Sequence, residues 1–246
     1  MLPINRLLTH ALIAGVASTS AVQASTILIG DDLELESTAI DGLFQDCDDC
    51  GPGDFTNIEL ALVHDSILDS GIDTNAVISV LPVDTENGLS LLFLIDQPDG
   101  DGVNGLSSVS LTSTAPGSAS FLINDPATDL TGHIESVTGL QTAFGDFTWQ
   151  SSGSADAFAW SSLLTGDQMT MLFTANADSP STFPGLDSTD NIQFLSWTDS
   201  SWAVAEVVEF NSGGTYAFTA MVLPAPGALA LLALAGASTR RRRRSA

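Results

Sequence analysis

The 246-residue chain contains no lysine, and its six arginines are confined to the two ends. Arg6 lies near the N-terminus and Arg240 to Arg244 lie near the C-terminus, so positions 7–239 carry neither lysine nor arginine. All 30 acidic residues fall between Asp31 and Glu209. This region therefore has no lysine or arginine salt bridges, and its self-repulsion opposes compaction unless salt or divalent cations screen it. Nucleic acid is excluded as a partner, because its phosphates would be repelled.

Recognisable catalytic motifs are also missing. The sequence has no phosphate-binding loop and no dinucleotide fingerprint, and Gly153-Ser154 lacks the surrounding G-x-S-x-G frame of a hydrolase nucleophile. A glycoside hydrolase needs a pair of carboxylates. Because the chain has 30 acidic residues, the presence of such a pair does not indicate that it is an enzyme. We therefore expect a protein that is not an enzyme and that has no catalytic residue.

The N-terminus has the three-part pattern of a secretory signal peptide. Arg6 precedes an apolar segment over positions 7–22, which ends in Val22-Gln23-Ala24. Val22 at the −3 position is β-branched and Ala24 at the −1 position is small. This pattern predicts cleavage after Ala24. We therefore assign residues 1–24 to a signal helix that engages the export machinery and signal peptidase.

The C-terminus, residues 223–246, combines a proline pair, an apolar run and a basic end. Pro224, Ala225 and Pro226 precede the apolar run, which leads to Arg240, Arg241, Arg242, Arg243 and Arg244. As a helix, residues 223–239 would be roughly 25 Å long, slightly short for a hydrocarbon core of about 30 Å. The arginines would stay cytoplasmic under the positive-inside rule, with the preceding domain outside.

This tail resembles the PEP-CTERM sorting signal of Gram-negative envelope proteins, which is processed by exosortases. Pro224 and Pro226 match the two prolines of the Pro-Glu-Pro triplet, Ala225 replaces its Glu, and the arginine block matches the basic end. The resemblance implies an exosortase-like processing enzyme as a partner, a membrane contact through the C-terminal helix, and location in the envelope, at the surface or outside the cell. A plain C-terminal membrane anchor is the alternative.

Between the two ends, residues 25–222 show short apolar runs separated by turn residues. Gly30-Asp31 predicts a turn within 25–35, and Asn87-Gly88 predicts a hairpin between strands 76–81 and 89–95. Ile58, Leu60 and Leu62 alternate as in a strand, although a short helix over 63–68 is the alternative. Further strands are predicted over 106–111, 118–123, 141–149, 155–160, 169–174, 192–197, 203–210 and 215–222.

Aromatic residues occur in most of the later strands, where alternation such as Phe158-x-Trp160 places them on one face. This pattern favours a packed core over a ligand platform. Ten or eleven strands with spaced turns predict an all-β, single β-sandwich or jelly-roll domain. Residues 81–89 and Gly145-Asp146-Phe147-x-Trp149 loosely resemble lectin-like sandwich modules, which implies a structural or glycan-binding module.

The loop after residue 95 has the composition of a calcium site. Asp96, Asp99, Asp101 and Asn104 offer oxygen ligands on a glycine-rich backbone. The register does not fit an EF-hand, because a loop starting at Asp99 has Ser110 at the twelfth position instead of Glu. Two interpretations therefore stay open for this loop: a plain acidic hairpin loop, and a calcium site that would make calcium a cofactor.

Cys47 and Cys50, the only cysteines, lie within a second acidic cluster. In an oxidising compartment a small-loop disulfide is the simplest outcome for so close a pair. Two alternatives remain open: a zinc site that adds His64 and His133, and a calcium site formed by Asp46, Asp48, Asp49 and Asp54.

Together these features predict an exported protein with a structural, adhesive or binding role, sorted through its tail. A secreted polysaccharide-acting enzyme and a calcium-dependent carbohydrate-binding module are the alternatives.

Overall fold

The computed structural model describes residues 25–40, 57–74, 77–85, 88–95, 107–123, 130–135, 139–149, 156–175, 192–208 and 215–224. Within them, no helix has the length and apolar character needed to cross a bilayer. The assigned signal peptide lies outside these residues, as does the tail beyond Pro224.

Fourteen strands and one helix make up the described part of the chain. In chain order they are β1 (Thr26–Ile29), β2 (Leu33–Glu36), β3 (Thr38–Ala39), α1 (Asn57–Asp69), β4 (Ile78–Thr85), β5 (Gly88–Ile95), β6 (Ser107–Pro116), β7 (Ser120–Ile123), β8 (Leu130–Glu135), β9 (Leu140–Trp149), β10 (Asp156–Leu163), β11 (Gln168–Ala175), β12 (Ile192–Thr198), β13 (Ser201–Val208) and β14 (Thr215–Leu223).

The strands form two sheets that pack together as a β-sandwich. Sheet A has the order β2-β1-β14-β11-β6-β9-β8, and all its pairs are antiparallel. Sheet B has the order β13-β12-β4-β5-β10-β7, with β3 added beside β4. Two pairings in sheet B, β12 with β4 and β3 with β4, are parallel. The predicted all-β sandwich is therefore confirmed.

The space between the sheets is filled mainly by aromatic and branched aliphatic side chains. Phe93 and Phe158, on neighbouring strands of sheet B, stack with ring centroids 4.3 Å apart. Trp160 and Phe173 are fully buried in the same cluster. Core packing is thus confirmed for these residues of the aromatic series, and burial of each such ring contributes a few kcal/mol of hydrophobic stabilisation.

Helix α1 covers the outer face of sheet B and creates a second core. Leu60, Val63 and Ile67 recur at the spacing of one helical face and are buried against that sheet. The strand predicted from Ile58, Leu60 and Leu62 is therefore wrong, and Leu62 is half exposed. The helical spacing of the buried residues outweighs a short alternation that fits either structure.

Two contacts tie α1 and Ser70, the residue directly after it, to the edge strand β13. The Trp202 indole N–H donates to Ser66 Oγ at 3.0 Å, and the Trp202 backbone N–H donates to Ser70 Oγ at 3.0 Å. Because sheet B is covered on both faces, β4 and β5 read as continuous apolar runs instead of alternating ones.

The β4–β5 hairpin is confirmed, with Thr85 paired to Gly88, whose φ of +94° suits glycine. Most other predicted strands are present. The sequence prediction missed β3 and β8, which lack a sustained alternating pattern, and it ended β6 at residue 111 although the strand continues to Pro116.

Candidate functional site

A cleft of about 710 Å³ opens beside the β1–β2 turn. Strands β1, β2, β6, β11 and β14 of sheet A line it, and Phe194 of β12 and Glu206 of β13 contribute from sheet B. Because β13 is the edge strand of sheet B among the described residues, no further described strand of sheet B lies beyond Glu206.

The β1–β2 turn forms one end of the cleft. Ile29 pairs with Leu33, and Gly30, Asp31 and Asp32 make the turn between them. Gly30 has a φ of +61°, in the left-handed region that glycine adopts without strain. The turn predicted from Gly30-Asp31 is thus present, and it places two exposed aspartates at the rim.

The pairing of β1 with β14 ends at this turn. The last ladder pair is Ile29 with Ala220, and the Gly30 N–H then donates to the Thr219 carbonyl at 2.8 Å. The first four residues of β14, 215–218, continue past the turn. Among the described residues their only strand neighbour is β11 on the opposite side.

Alternation along β14 decides which backbone groups face this open side. The Val222 N–H donates to Asp167 and the Val222 carbonyl accepts from Gly166, so even-numbered residues bond towards β11. Thr219, an odd-numbered residue, bonds towards β1. Since backbone groups alternate in direction along a strand, the N–H and C=O of Ala217 point to the open side, where no described residue pairs with them.

The floor of the cleft is apolar and aromatic. Phe194 and Phe218 pack edge to face with centroids 5.3 Å apart, and Tyr216 lies 5.9 Å from Phe218. Met171 of β11 is also buried there. An apolar floor of this kind lets a ligand bury its own apolar groups.

Tyr216 brings a titratable hydroxyl to the floor of the cleft. Burial and, secondly, the nearby Glu206 carboxylate raise the pKa of Tyr216 above its ordinary value. The hydroxyl is therefore protonated at neutral pH and can donate a hydrogen bond. Tyr216 is also the only tyrosine of the chain, which makes it a specific spectroscopic probe.

The rim of the cleft is negatively charged. Asp31, Asp32 and Glu206 are exposed and line it, and no lysine or arginine occurs anywhere over positions 7–239 to neutralise them. The site therefore repels anions and favours neutral or cationic ligands.

The residues that the sequence suggested for metal binding fall largely outside the described ranges. These are Asp96, Asp99, Asp101 and Asn104 of the calcium loop, and Cys47 and Cys50 with the acidic residues around them. Of the sorting signal, only Pro224 is described; it is exposed and directly follows β14. Within the described residues, no group of three or more His, Cys, Asp or Glu side chains is placed to hold a metal.

The two histidines of the alternative zinc site lie in different layers. His64 belongs to α1, outside sheet B, and its Nε2 is 2.9 Å from Thr74 Oγ1. His133 belongs to β8, the edge strand of sheet A, where it pairs with Ala143. The described fold does not bring these two elements together.

The cleft itself escaped the sequence analysis. The aromatic pattern of the later strands, to which Tyr216 belongs, predicts core packing, and Gly30-Asp31 predicts only a turn. The available signal was the short spacing between Ile29 and Leu33, which limits β1 to four residues beside the nine-residue β14. Comparison with known families, curated proteins and solved structures finds no match to this chain.

Proposed function

We propose that the chain is an exported envelope or surface protein, sorted by its C-terminal tail, with a β-sandwich that binds a partner through the cleft. The observation that carries the proposal is the charge distribution: every lysine or arginine lies in a terminal segment, and the 233 positions 7–239 have none. An export signal and a membrane-sorting tail both require basic residues at the ends.

The join between sandwich and tail supports this assignment. Strand β14 ends at Leu223, and Pro224 follows at once, so the three residues 224–226 are all that separate the sheet from the apolar run. A tail held in a membrane would keep this end of the sandwich close to the lipid surface.

The open part of the cleft lies away from the residue at which β14 ends. The open part of β14, residues 215–218, is at the start of the strand, and the tail follows its end. With a rise of about 3.3 Å per residue, the centre of the open segment lies roughly 20 Å from Leu223. A partner could therefore reach the cleft of an anchored molecule.

Binding is favoured over hydrolysis by the exposure of the acidic residues. A glycosidase needs one carboxyl group in apolar surroundings, which keep it protonated as the general acid. Asp31, Asp32 and Glu206 are instead exposed at the rim. The exposure of these carboxylates therefore supports a structural, adhesive or binding role.

Mass spectrometry of the chain from cytoplasmic, envelope and medium fractions tests the proposal. We expect an N-terminus at Ser25, loss of the arginine block from the mature form, and digestion of the sandwich by protease added to intact cells. A matched variant with Arg240 to Arg244 replaced by glutamine should accumulate unprocessed. A full-length chain confined to the cytoplasm would contradict export, whereas a surface chain that retains the arginines would identify a plain anchor.

A further inference from the structure

We propose that the cleft accepts an extended, lysine- or arginine-bearing peptide segment of another protein, which pairs with residues 215–218 as an added strand. The inference rests on the proposed export, because only an exposed chain meets foreign segments outside the cell. It adds to that proposal the chemical class of the ligand and its mode of binding.

On the open side of β14, no described residue pairs with the backbone of Ala217. Past the bond from the Gly30 N–H to the Thr219 carbonyl, the N–H and C=O of Ala217 face the open side with no described partner. A strand with a free edge can bind an extended peptide through main-chain hydrogen bonds. The β1–β2 turn limits this open edge at one end. The edge therefore forms a short slot that lies in line with β1.

Two surfaces of different character lie beside that slot. Side chains of an added strand alternate between the two faces of sheet A. On the inner face they would meet the apolar floor formed by Phe194 and Phe218. On the outer face they would lie beside Ala217 and Thr219 of β14, both exposed. The cleft thus provides apolar contact on one side and a mixed surface on the other.

The negative charge of the cleft favours a basic segment. Asp31 and Asp32 lie at the turn, and Glu206 lies across from it on sheet B. A lysine or arginine in the added strand would be attracted to these carboxylates, whereas an acidic segment would be repelled. Burial and Glu206 raise the pKa of Tyr216, and a bound cation would partly offset the contribution of the carboxylate.

The charge also disfavours a second copy of the same chain. Over positions 7–239 another copy brings carboxylates but no lysine or arginine to the cleft. The chain's own arginine block is the only internal source of clustered positive charge. In the proposed topology it would be held across the membrane and then lost when the tail is processed. The favoured occupant is therefore a basic, extended segment of a different protein.

The test uses the full-length chain in a mild non-ionic detergent and a fluorescent hexapeptide that alternates lysine and valine. Binding is followed by fluorescence anisotropy. Two control peptides accompany it: one with glutamate in place of lysine, and one with all amide nitrogens methylated, which keeps the charge but removes the main-chain donors. We expect the first peptide to bind, and to bind more weakly as salt is raised, and both controls to bind at least tenfold more weakly.

Three variants locate the bound peptide. Glu206→Gln should weaken binding about two- to fivefold, the range expected for an exposed charge pair. Glu34→Gln, at an exposed glutamate of β2 outside the cleft, should leave it unchanged. Ala217→Pro removes the central edge donor at a position where proline is compatible with an edge strand, and should abolish binding. A thermal melt of each variant shows whether it is folded, and Glu206→Gln keeps the test valid if Ala217→Pro is not.

Several results would overturn the inference. Equal binding of the methylated peptide removes strand pairing, and equal binding of the glutamate peptide removes the charge preference. If glutamine replacement of Arg240 to Arg244 raises the affinity tenfold or more, the chain's own tail occupies the cleft in place of a foreign segment. Absence of peptide binding by a chain that fractionates to the cell surface overturns this inference alone, whereas a cytoplasmic location overturns the proposed function on which it rests.

Discussion

Glu206 on β13 and Tyr216 on β14 lie within electrostatic reach of each other across the cleft, one on each sheet. Burial first, and then this carboxylate, raise the pKa of the tyrosine. Replacing Glu206 by glutamine should lower the Tyr216 pKa, but only in part, because burial of the ring remains. Since the chain has a single tyrosine, an ultraviolet titration of tyrosinate absorbance measures this pKa directly. An unchanged titration in Glu206→Gln, or an equal shift in Glu34→Gln, would contradict the pairing.

The raised pKa also predicts how stability depends on alkaline pH. The folded state holds the Tyr216 proton more tightly than the unfolded state, whose tyrosine pKa is about 10. This contribution to stability is complete below that value and is lost as pH rises through the folded pKa. Denaturant unfolding at a series of alkaline pH values should show a falling free energy of unfolding. The fall should be smaller in Glu206→Gln; an identical slope in both proteins would count against the assignment.

Within the main core, the Trp160 indole N–H donates to Ser113 Oγ at 2.6 Å, and both residues are fully buried. Ser113→Ala deprives the indole of this acceptor, and we expect a loss of about 1–3 kcal/mol in the free energy of unfolding. Urea denaturation of Ser113→Ala, Trp160→Phe and the double variant measures the coupling. The double variant should lose less than the sum of the two single losses, and strict additivity would exclude an energetic link.

Stability should rise with salt. The absence of lysine and arginine over positions 7–239 leaves like-charge repulsion as the dominant electrostatic term. Raising sodium chloride from about 0.01 to 0.2 M shortens the screening length severalfold, so we expect Tm to increase by calorimetry. A neutral osmolyte at equal osmolality serves as the control. A Tm that is constant or falls over this range would show that the charge does not limit stability.

Calcium should stabilise the chain beyond this screening effect if the loop around Asp99 binds it. Millimolar calcium is then expected to give heat in a titration and a larger rise in Tm than sodium chloride of equal ionic strength. Asp99→Asn with Asp101→Asn should remove the effect, and Asp48→Asn with Asp49→Asn tests the cysteine-flanked cluster in the same way. No heat and no additional rise in Tm would exclude calcium at both clusters.

The fold class was predictable because the strand signals are local. Alternating aromatics such as Phe158 and Trp160, and turn residues such as Gly30, depend on neighbours a few positions away. Helix α1 was harder, because Leu60 and Leu62 fit a strand until Val63 and Ile67 are considered with them. Which residues lie on the buried face is decided by sheet B, a contact distant in sequence.

The cleft depends on relationships that no local pattern contains. It exists because β1 ends beside Ala220 while β14 begins five residues earlier, and because Glu206 and Tyr216 come from different sheets. Strand order and register determine both features, and no local sequence pattern predicts the order or the register. The signal peptide and the sorting tail can be predicted from sequence for the opposite reason, since each motif consists of contiguous residues.

Amide hydrogen exchange at single-residue resolution on β14 tests the central claim most directly. The open edge predicts that the Ala217 N–H exchanges much faster than that of Phe218, which bonds towards β11, and that the lysine–valine peptide slows exchange at Ala217 selectively. Equal, strong protection of Ala217 and Phe218 in the free protein would show that the edge is already paired, and would contradict the account.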